Sequence, residues 1–183
     1  MTADADGAIK EQMLAAVPSL RAFAVSLTNN FDAADDLVQE TLLRAWANLN
    51  KFERGTNLNA WLFTILRNLF HSQYRKRRRE VDDPDGSYAG RLRSLPDQHA
   101  HLEFEDFRKA LAKLVPDQRE ALLLVGAEGF SYEDAAKICN VAVGTIKSRV
   151  NRARLRLAEL LNVDESADLG PDALIKAALQ EGG

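Results

Sequence analysis

Thiols are nearly absent from this chain: Cys139 is the only cysteine among 183 residues. One thiol makes no intrachain disulfide and no zinc site of several thiolates, so a reducing, cytoplasmic compartment is the expectation. The histidines, His71, His99 and His101, are too few and too scattered to replace thiolates as ligands, and no metal or cofactor is expected. Long apolar runs are missing as well, since nothing approaches the roughly 18 to 20 residues of a membrane span. The N-terminus carries Asp4 and Asp6 and no basic stretch, unlike a secretory signal. No segment alternates with period two for long enough to read as a strand. A surplus of positive charge is lacking too: the formal net charge is -3, which as a single number argues against a nucleic-acid partner.

What the chain does have is helical periodicity and enough apolar residues, 46%, to build a core. The expected fold class is all-α, as two small helical domains. The first spans residues 9–79. Residues 80–102 break the pattern with Val81-Asp82-Asp83-Pro84-Asp85-Gly86, Gly90 and Pro96-Asp97, and read as a flexible acidic linker. A second helical domain occupies residues 103–162. In the acidic tail, 163–183, Asp172 to Leu179 reads either as one short helix or as a frayed end.

Resolving the charge by segment changes its meaning. Residues 1–62 carry five basic and eight acidic side chains, whereas Phe63 to Arg79 holds Arg67, Arg75, Lys76, Arg77, Arg78 and Arg79 and no acid. Asn140 to Ala158 likewise holds Lys147, Arg149, Arg152, Arg154 and Arg156 without one acid. Two basic patches sit on an acidic background, and phosphates sense local patches because salt screens charges beyond about 8 to 10 Å.

In the first domain, Asp32 to Leu49 reads as a helix with Ala34, Leu37, Val38, Thr41, Leu42, Ala45 and Leu49 on its core face. The opposite face carries Asp36, Gln39, Glu40 and Leu43. Leu43 is either a stray exposed leucine or the apolar centre of a protein interface with an acidic rim. The next helix, about Asn57 to Arg78, places Leu58, Trp61, Leu62, Ile65, Leu66 and Leu69 inward. Phe63, Arg67, Phe70 and Tyr74 form a second stripe, along which His71, Arg75 and Arg78 also wind. Rings interleaved with cations suit unpaired bases, for which stacking contributes roughly 1 to 3 kcal/mol per base. Phe63 alone reads equally well as a core contact. Just before the helix, Phe52 to Asn57 is a polar loop with a glycine hinge, a fitting cradle for a flipped base.

In the second domain, Pro116 opens a helix that Gly129 ends, and Ser131 caps a short helix carrying Ala135, Ala136 and Cys139. Asn140 takes the turn, and a longer helix from about Val143 buries Ile146, Val150, Ala153 and Leu157. This is the pattern of a helix-turn-helix. Ser148, Arg149 and Arg152 are the candidates for base edges, and Thr145, Lys147, Arg154 and Arg156 for phosphates. The bland alternative is a solvated basic helix without a ligand, and Cys139 reads most simply as a small buried hydrophobe.

Asp35-Asp36-Leu37-Val38-Gln39-Glu40-Thr41-Leu42-Leu43-Arg44-Ala45-Trp46, then Ala60-Trp61-Leu62-Phe63, and finally Gly144 to Arg154 together resemble a bacterial extracytoplasmic-function (ECF) sigma factor. The alphaproteobacterial general-stress-response subgroup is the most similar. The resemblance implies that Asp36, Gln39, Glu40 and Leu43 dock on the clamp coiled coil of the largest subunit of core RNA polymerase. It implies that the loop from Phe52 to Asn59, including Asn57, and the Phe63–Arg79 helix recognise and open the -10 promoter element. The second domain would read the -35 element and contact the polymerase flap, and a NepR-like anti-sigma factor is the implied inhibitor. Asn140 departs from the commoner glycine of the turn, and the tail lies outside the shared pattern. Neither catalysis nor a homo-oligomer is expected: Asp35 and Asp36, adjacent on a helix, diverge by about 100° and cannot meet at one substrate atom. The alternative is a sigma-like decoy that sequesters an anti-sigma factor without binding DNA.

Overall fold

The computed structural model describes residues 2–80 and 100–162, and the chain divides into two compact units, Met1–Leu92 and Arg93–Gly183. Most of the expected linker, and all of the expected tail helix at Asp172–Leu179, lie outside the described residues. Among the described residues the secondary structure is helical throughout, without a strand.

The first unit contains α1 (Thr2–Ala15), α2 (Val17–Thr28), α3 (Phe31–Ala47) and α4 (Leu58–Glu80), with a single 3-10 turn at Leu49–Lys51. Side chains set these boundaries. Asn29 ends α2 in the left-handed conformation at φ 52°, which asparagine adopts more readily than other non-glycine residues. Asn30 then caps α3, its Oδ1 accepting from the Ala33 amide at 2.9 Å. Asn57 does the same for α4, accepting from the Ala60 amide at 3.1 Å. α2 packs on α3, both pack on α4, and α1 closes against α4 and α2.

Leu20, Phe23 and Ala24 of α2 meet Ala34, Leu37 and Ala45 of α3 and Leu62 and Leu66 of α4 in a solvent-free core. Each such large apolar side chain gains about 1.5 to 3 kcal/mol by leaving water. Thr41 is the polar exception in this face, and its hydroxyl is satisfied by donating to the Leu37 carbonyl at 2.7 Å. Leu42 and Leu49, expected in the core, are only half-buried.

Phe63 requires a correction. Placed on the outer stripe with Arg67, Phe70 and Tyr74, it is instead 1% exposed, its ring 5.1 Å from that of Phe23. One turn after Leu58 and Asn59, it falls beside Leu62 and Leu66 on a core face broad enough to meet both α2 and α3. It is therefore not a surface for bases.

The second unit holds α5 (Ala100–Ala112), α6 (Pro116–Leu122), α7 (Tyr132–Cys139) and α8 (Val143–Leu161). α6 runs on into one π-helical turn, Leu123–Ala127, closed by the Glu128 amide bonding to the Leu123 carbonyl at 3.0 Å. The added residue in that turn rotates Leu123, Leu124 and Gly126 into the core together. Gly129, at φ 71°, then reverses the chain. Ser131 caps α7 by accepting from the Asp134 amide at 3.0 Å. Asn140 supplies the turn at φ 53° and ψ 50°, so the departure from glycine costs little here. α8 packs on α6, α7 and α5 through Ile146, Val150, Ala153 and Leu157, all buried as the periodicity predicts.

Candidate functional site

On α3 the outward face brings Asp36, Gln39 and Leu43 to the surface. Leu43 is 67% exposed, and three residues on, one helical turn away, Trp46 is 52% exposed. The apolar centre is thus larger than the leucine alone; Trp46 was missed although its spacing from Leu43 announces the same face. Glu40 is half-buried and its Oε1 accepts from Arg44 Nε at 2.7 Å, an intrahelical pair. Asp35 has a different fate from its neighbour Asp36. It bonds to Arg21 of α2 at 2.6 Å, and this hydrogen bond holds its carboxyl below the usual range despite partial burial. Arg21, raised in turn by the same bond, also lies over the Phe31 ring at 5.8 Å. Asp35 fastens helices together while Asp36 faces outward.

Around the start of α4, Phe52 stacks at a tilt on Trp61, ring centres 5.2 Å apart. Between them the loop turns at Gly55, φ 91°, and Thr56 donates to the Glu53 carbonyl at 2.7 Å. The Asn57 side-chain oxygen is committed to the helix cap, and Asn59 is exposed. Further along, Phe70 and Tyr74 stack at 6.2 Å and 25°, with His71 edge-on to Phe70 at 5.4 Å. Tyr74 is 51% exposed, Arg67 is half-buried, and Arg75, Lys76, Arg77 and Arg79 are exposed. The Arg78 side chain lies outside the described ones. Once Phe63 is removed, the stripe is a Phe70–Tyr74 pair leading into a cationic helix end, where the helix dipole also favours positive charge.

On α8 the exposed row is Gly144, Lys147, Ser148, Asn151, Arg152, Leu155, Arg156 and Glu159. Asn151 was missed, yet it lies three residues beyond Ser148 on the same face, and an asparagine amide pairs with adenine in bidentate fashion. Lys147 lies 5.8 Å from the Tyr132 ring centre, and Arg156 bonds to Glu159 at 2.8 Å. Thr145 and Arg154 are half-buried on opposite flanks.

Arg149 stands apart from the other candidates on α8. Expected at base edges, it turns back to α6 and donates from Nη2 to Asp117 Oδ2 at 2.6 Å, with only 21% of its side chain exposed. Position 149 falls between the buried row and the exposed face, so the nearest acid is in the protein. Among the described cations of α8, Arg152 is the one for which no intramolecular partner is found. Of the candidates for base edges, Ser148 and Arg152 are exposed, and Asn151 joins them on the same face.

Elsewhere in this unit, buried Glu120 accepts from the Cys139 thiol at 3.9 Å, and burial depresses the Arg119 guanidinium. Among the described residues no group of His, Cys, Asp or Glu side chains could hold a metal ion, and no helix is long and apolar enough to cross a membrane.

Known proteins align with both units. Sigma-70 region 2 matches residues 13–80, and sigma-70 region 4 matches residues 104–157. The ECF RNA polymerase sigma factor EcfG of Rhodopseudomonas palustris is 69% identical over 93% of this chain and 94% of its own length. The sigma factor RpoE of Bartonella quintana, solved in complex with the anti-sigma factor NepR, is 59% identical with a TM-score of 0.77. That match covers 85% of this chain and 98% of RpoE. CnrH, solved with the cytosolic domain of CnrY, is 28% identical with a TM-score of 0.65, covering 87% of this chain and 91% of the other. With region 2 and region 4 in order and such identity along nearly its full length, the chain belongs to the ECF group of sigma-70 family RNA polymerase sigma factors.

Proposed function

We propose that this sigma factor directs RNA polymerase to stress-response promoters and initiates their melting, acting in the cytoplasm as a dissociable, non-catalytic subunit. The observation that carries the reading furthest is α8: Lys147, Ser148, Asn151 and Arg152 face solvent along one side while Ile146, Val150 and Ala153 lock the other into the core. A helix so presented inserts into the major groove of the -35 element. There Ser148, Asn151 and Arg152 meet base edges, and Lys147, Thr145, Arg154 and Arg156 stand near phosphates.

The first unit serves the other end of the promoter. Asp36, Gln39 and Glu40 rim the Leu43–Trp46 patch, an arrangement fitted to a basic partner with an apolar centre, here the clamp coiled coil of the largest polymerase subunit. Phe52, Asn57 and Asn59 flank the base-holding loop. Phe70, His71 and Tyr74, with Arg67, Arg75 and Arg78, track the -10 strand as it unpairs. A NepR-like anti-sigma factor is the inhibitor, a reading supported by the 59% identical relative that was solved with NepR.

Run-off transcription with core polymerase tests the whole assignment. A promoter-dependent product is expected, and its absence, with an anti-sigma factor still bound, would leave the decoy reading in its place. Glu40→Lys should abolish core binding without altering DNA binding by the second unit. Undiminished core affinity in a pull-down would remove the α3 face from the docking surface.

A further inference from the structure

Arg149 is held so that it cannot easily serve DNA. Its Nη2 is bonded to Asp117 at 2.6 Å, and its Nη1 is enclosed by protein with no acceptor within reach. Asp117 sits in the first turn of α6, on the element against which α8 packs most extensively, and half of its side chain is exposed. The bond therefore joins the scaffold helix to the reading helix one turn from Arg152 and next to Ser148. Swinging Arg149 toward a phosphate would break this bond and leave the Asp117 carboxylate without its cation, to repel any phosphate that comes within the screening distance of about 8 to 10 Å.

We propose that Asp117 is a positioning residue for DNA reading: it holds Arg149 as a strut that fixes the seat of α8, and it withholds that cation from the phosphates. The inference rests on the reading of the second unit as a DNA reader. Its physical content is that specificity and non-specific attraction are traded at this pair. Loss of Asp117 removes a negative charge and releases a positive one, so binding to any sequence should rise while discrimination falls. A reading helix with one more phosphate contact and one fewer fixed attachment accepts more registers on the duplex.

The experiment uses the full chain and a pool of DNA duplexes randomised over six consecutive base pairs. Sequences enriched by the unaltered protein are compared with the starting pool by fluorescence anisotropy across a salt series. For Asp117→Asn the enriched-to-pool affinity ratio should fall roughly tenfold, the scale of one misplaced base contact. The slope of log affinity against log salt should steepen by about one, the signature of an added phosphate contact. Asp117→Glu should restore both. Arg149→Met should lower the ratio and leave the slope unchanged. Its shallowing by about one would show Arg149 already on a phosphate and overturn the proposal, as would wild-type ratio and slope in Asp117→Asn. A chain that enriches no sequence before any substitution would sink the DNA-reading assignment itself, a failure visible in the unaltered protein and so separate from the others.

Discussion

Arg75, Arg77 and Arg79 stand exposed near the end of α4, beyond the Phe70–Tyr74 ring pair, whereas the cations of α8 are mostly engaged. Lys147 lies over Tyr132, Arg149 is bonded to Asp117 and Arg156 to Glu159. In sequence the two stretches look alike, each a basic run free of acids. The difference is what a neighbouring helix does to a long side chain. Exposed arginines at a helix end can neutralise phosphates in many geometries, which would suit a strand that is changing shape. Tethered ones have already lost rotamer freedom, so on α8 the engaged cations brace the helix and Arg152 is left to reach outward. On the proposed function, α4 acts as a track and α8 as a reading head.

Removing the inward ring of α4 should produce the largest effect on this contrast. Phe63→Ala is expected to cost about 3 to 5 kcal/mol of first-unit stability, measured by denaturant unfolding. Tyr74→Ala on the same helix should leave unfolding unchanged and weaken binding to a single-stranded -10 oligonucleotide by about 1 to 3 kcal/mol. The reverse pattern would put Phe63 back on the nucleic-acid face.

Next in size is the division of labour within α8. Arg152→Ala should lose base discrimination worth about 1 to 3 kcal/mol at one position of the -35 element, whereas Arg149→Ala should register first in thermal unfolding. Uniform weakening on every sequence by Arg152→Ala would demote it to a phosphate contact, and the reading head would become a second track.

The smallest effect separates the two neighbouring acids of α3. Asp35 has its carboxyl lowered by the Arg21 hydrogen bond, so it stabilises the fold above the ordinary carboxylate pKa of about 3.9. That contribution fades as pH falls through the lowered value and the proton returns. With 42% and 43% of the two side chains exposed, solvent screens the pair, which is worth no more than about 1 kcal/mol. Asp35→Asn should lower the unfolding midpoint slightly at pH 7, with the loss shrinking as pH falls below the ordinary carboxylate range, while Asp36→Asn should leave stability unchanged. An equal loss from Asp36→Asn would show that these acids act only through the net charge of the helix.

Much of this was legible beforehand because helices write themselves locally. The Ser131 cap, the turn at Asn140 and the buried row Ile146, Val150, Ala153 and Leu157 follow from spacing and side-chain type, since the groups that satisfy a helix end lie within three residues of it, whereas Asn57, read as part of a base-holding loop, proved to cap α4. The π-helical turn at Leu123–Ala127 left no such mark, because one extra residue in a turn is a matter of which leucines the neighbouring helices accept. Trp46 and Asn151 are readable from spacing alone, each lying three residues beyond a member of an outward row, Leu43 and Ser148.

By itself the sequence determined an all-α chain in two parts, a helix-turn-helix in the second, two basic runs on an acidic background, and an outward acidic face on α3. Tertiary structure alone decided which members of those sets face outward. Phe63 and Tyr74 are three helical turns apart on one helix, yet only the position of Phe23 makes the first of them core. Arg149 and Arg152 are three residues apart, yet Asp117, distant in sequence, claims one and leaves the other to solvent. Periodicity fixes the direction of a side chain relative to its own helix. What waits in that direction, a ring, a carboxylate or water, is settled by how the helices pack.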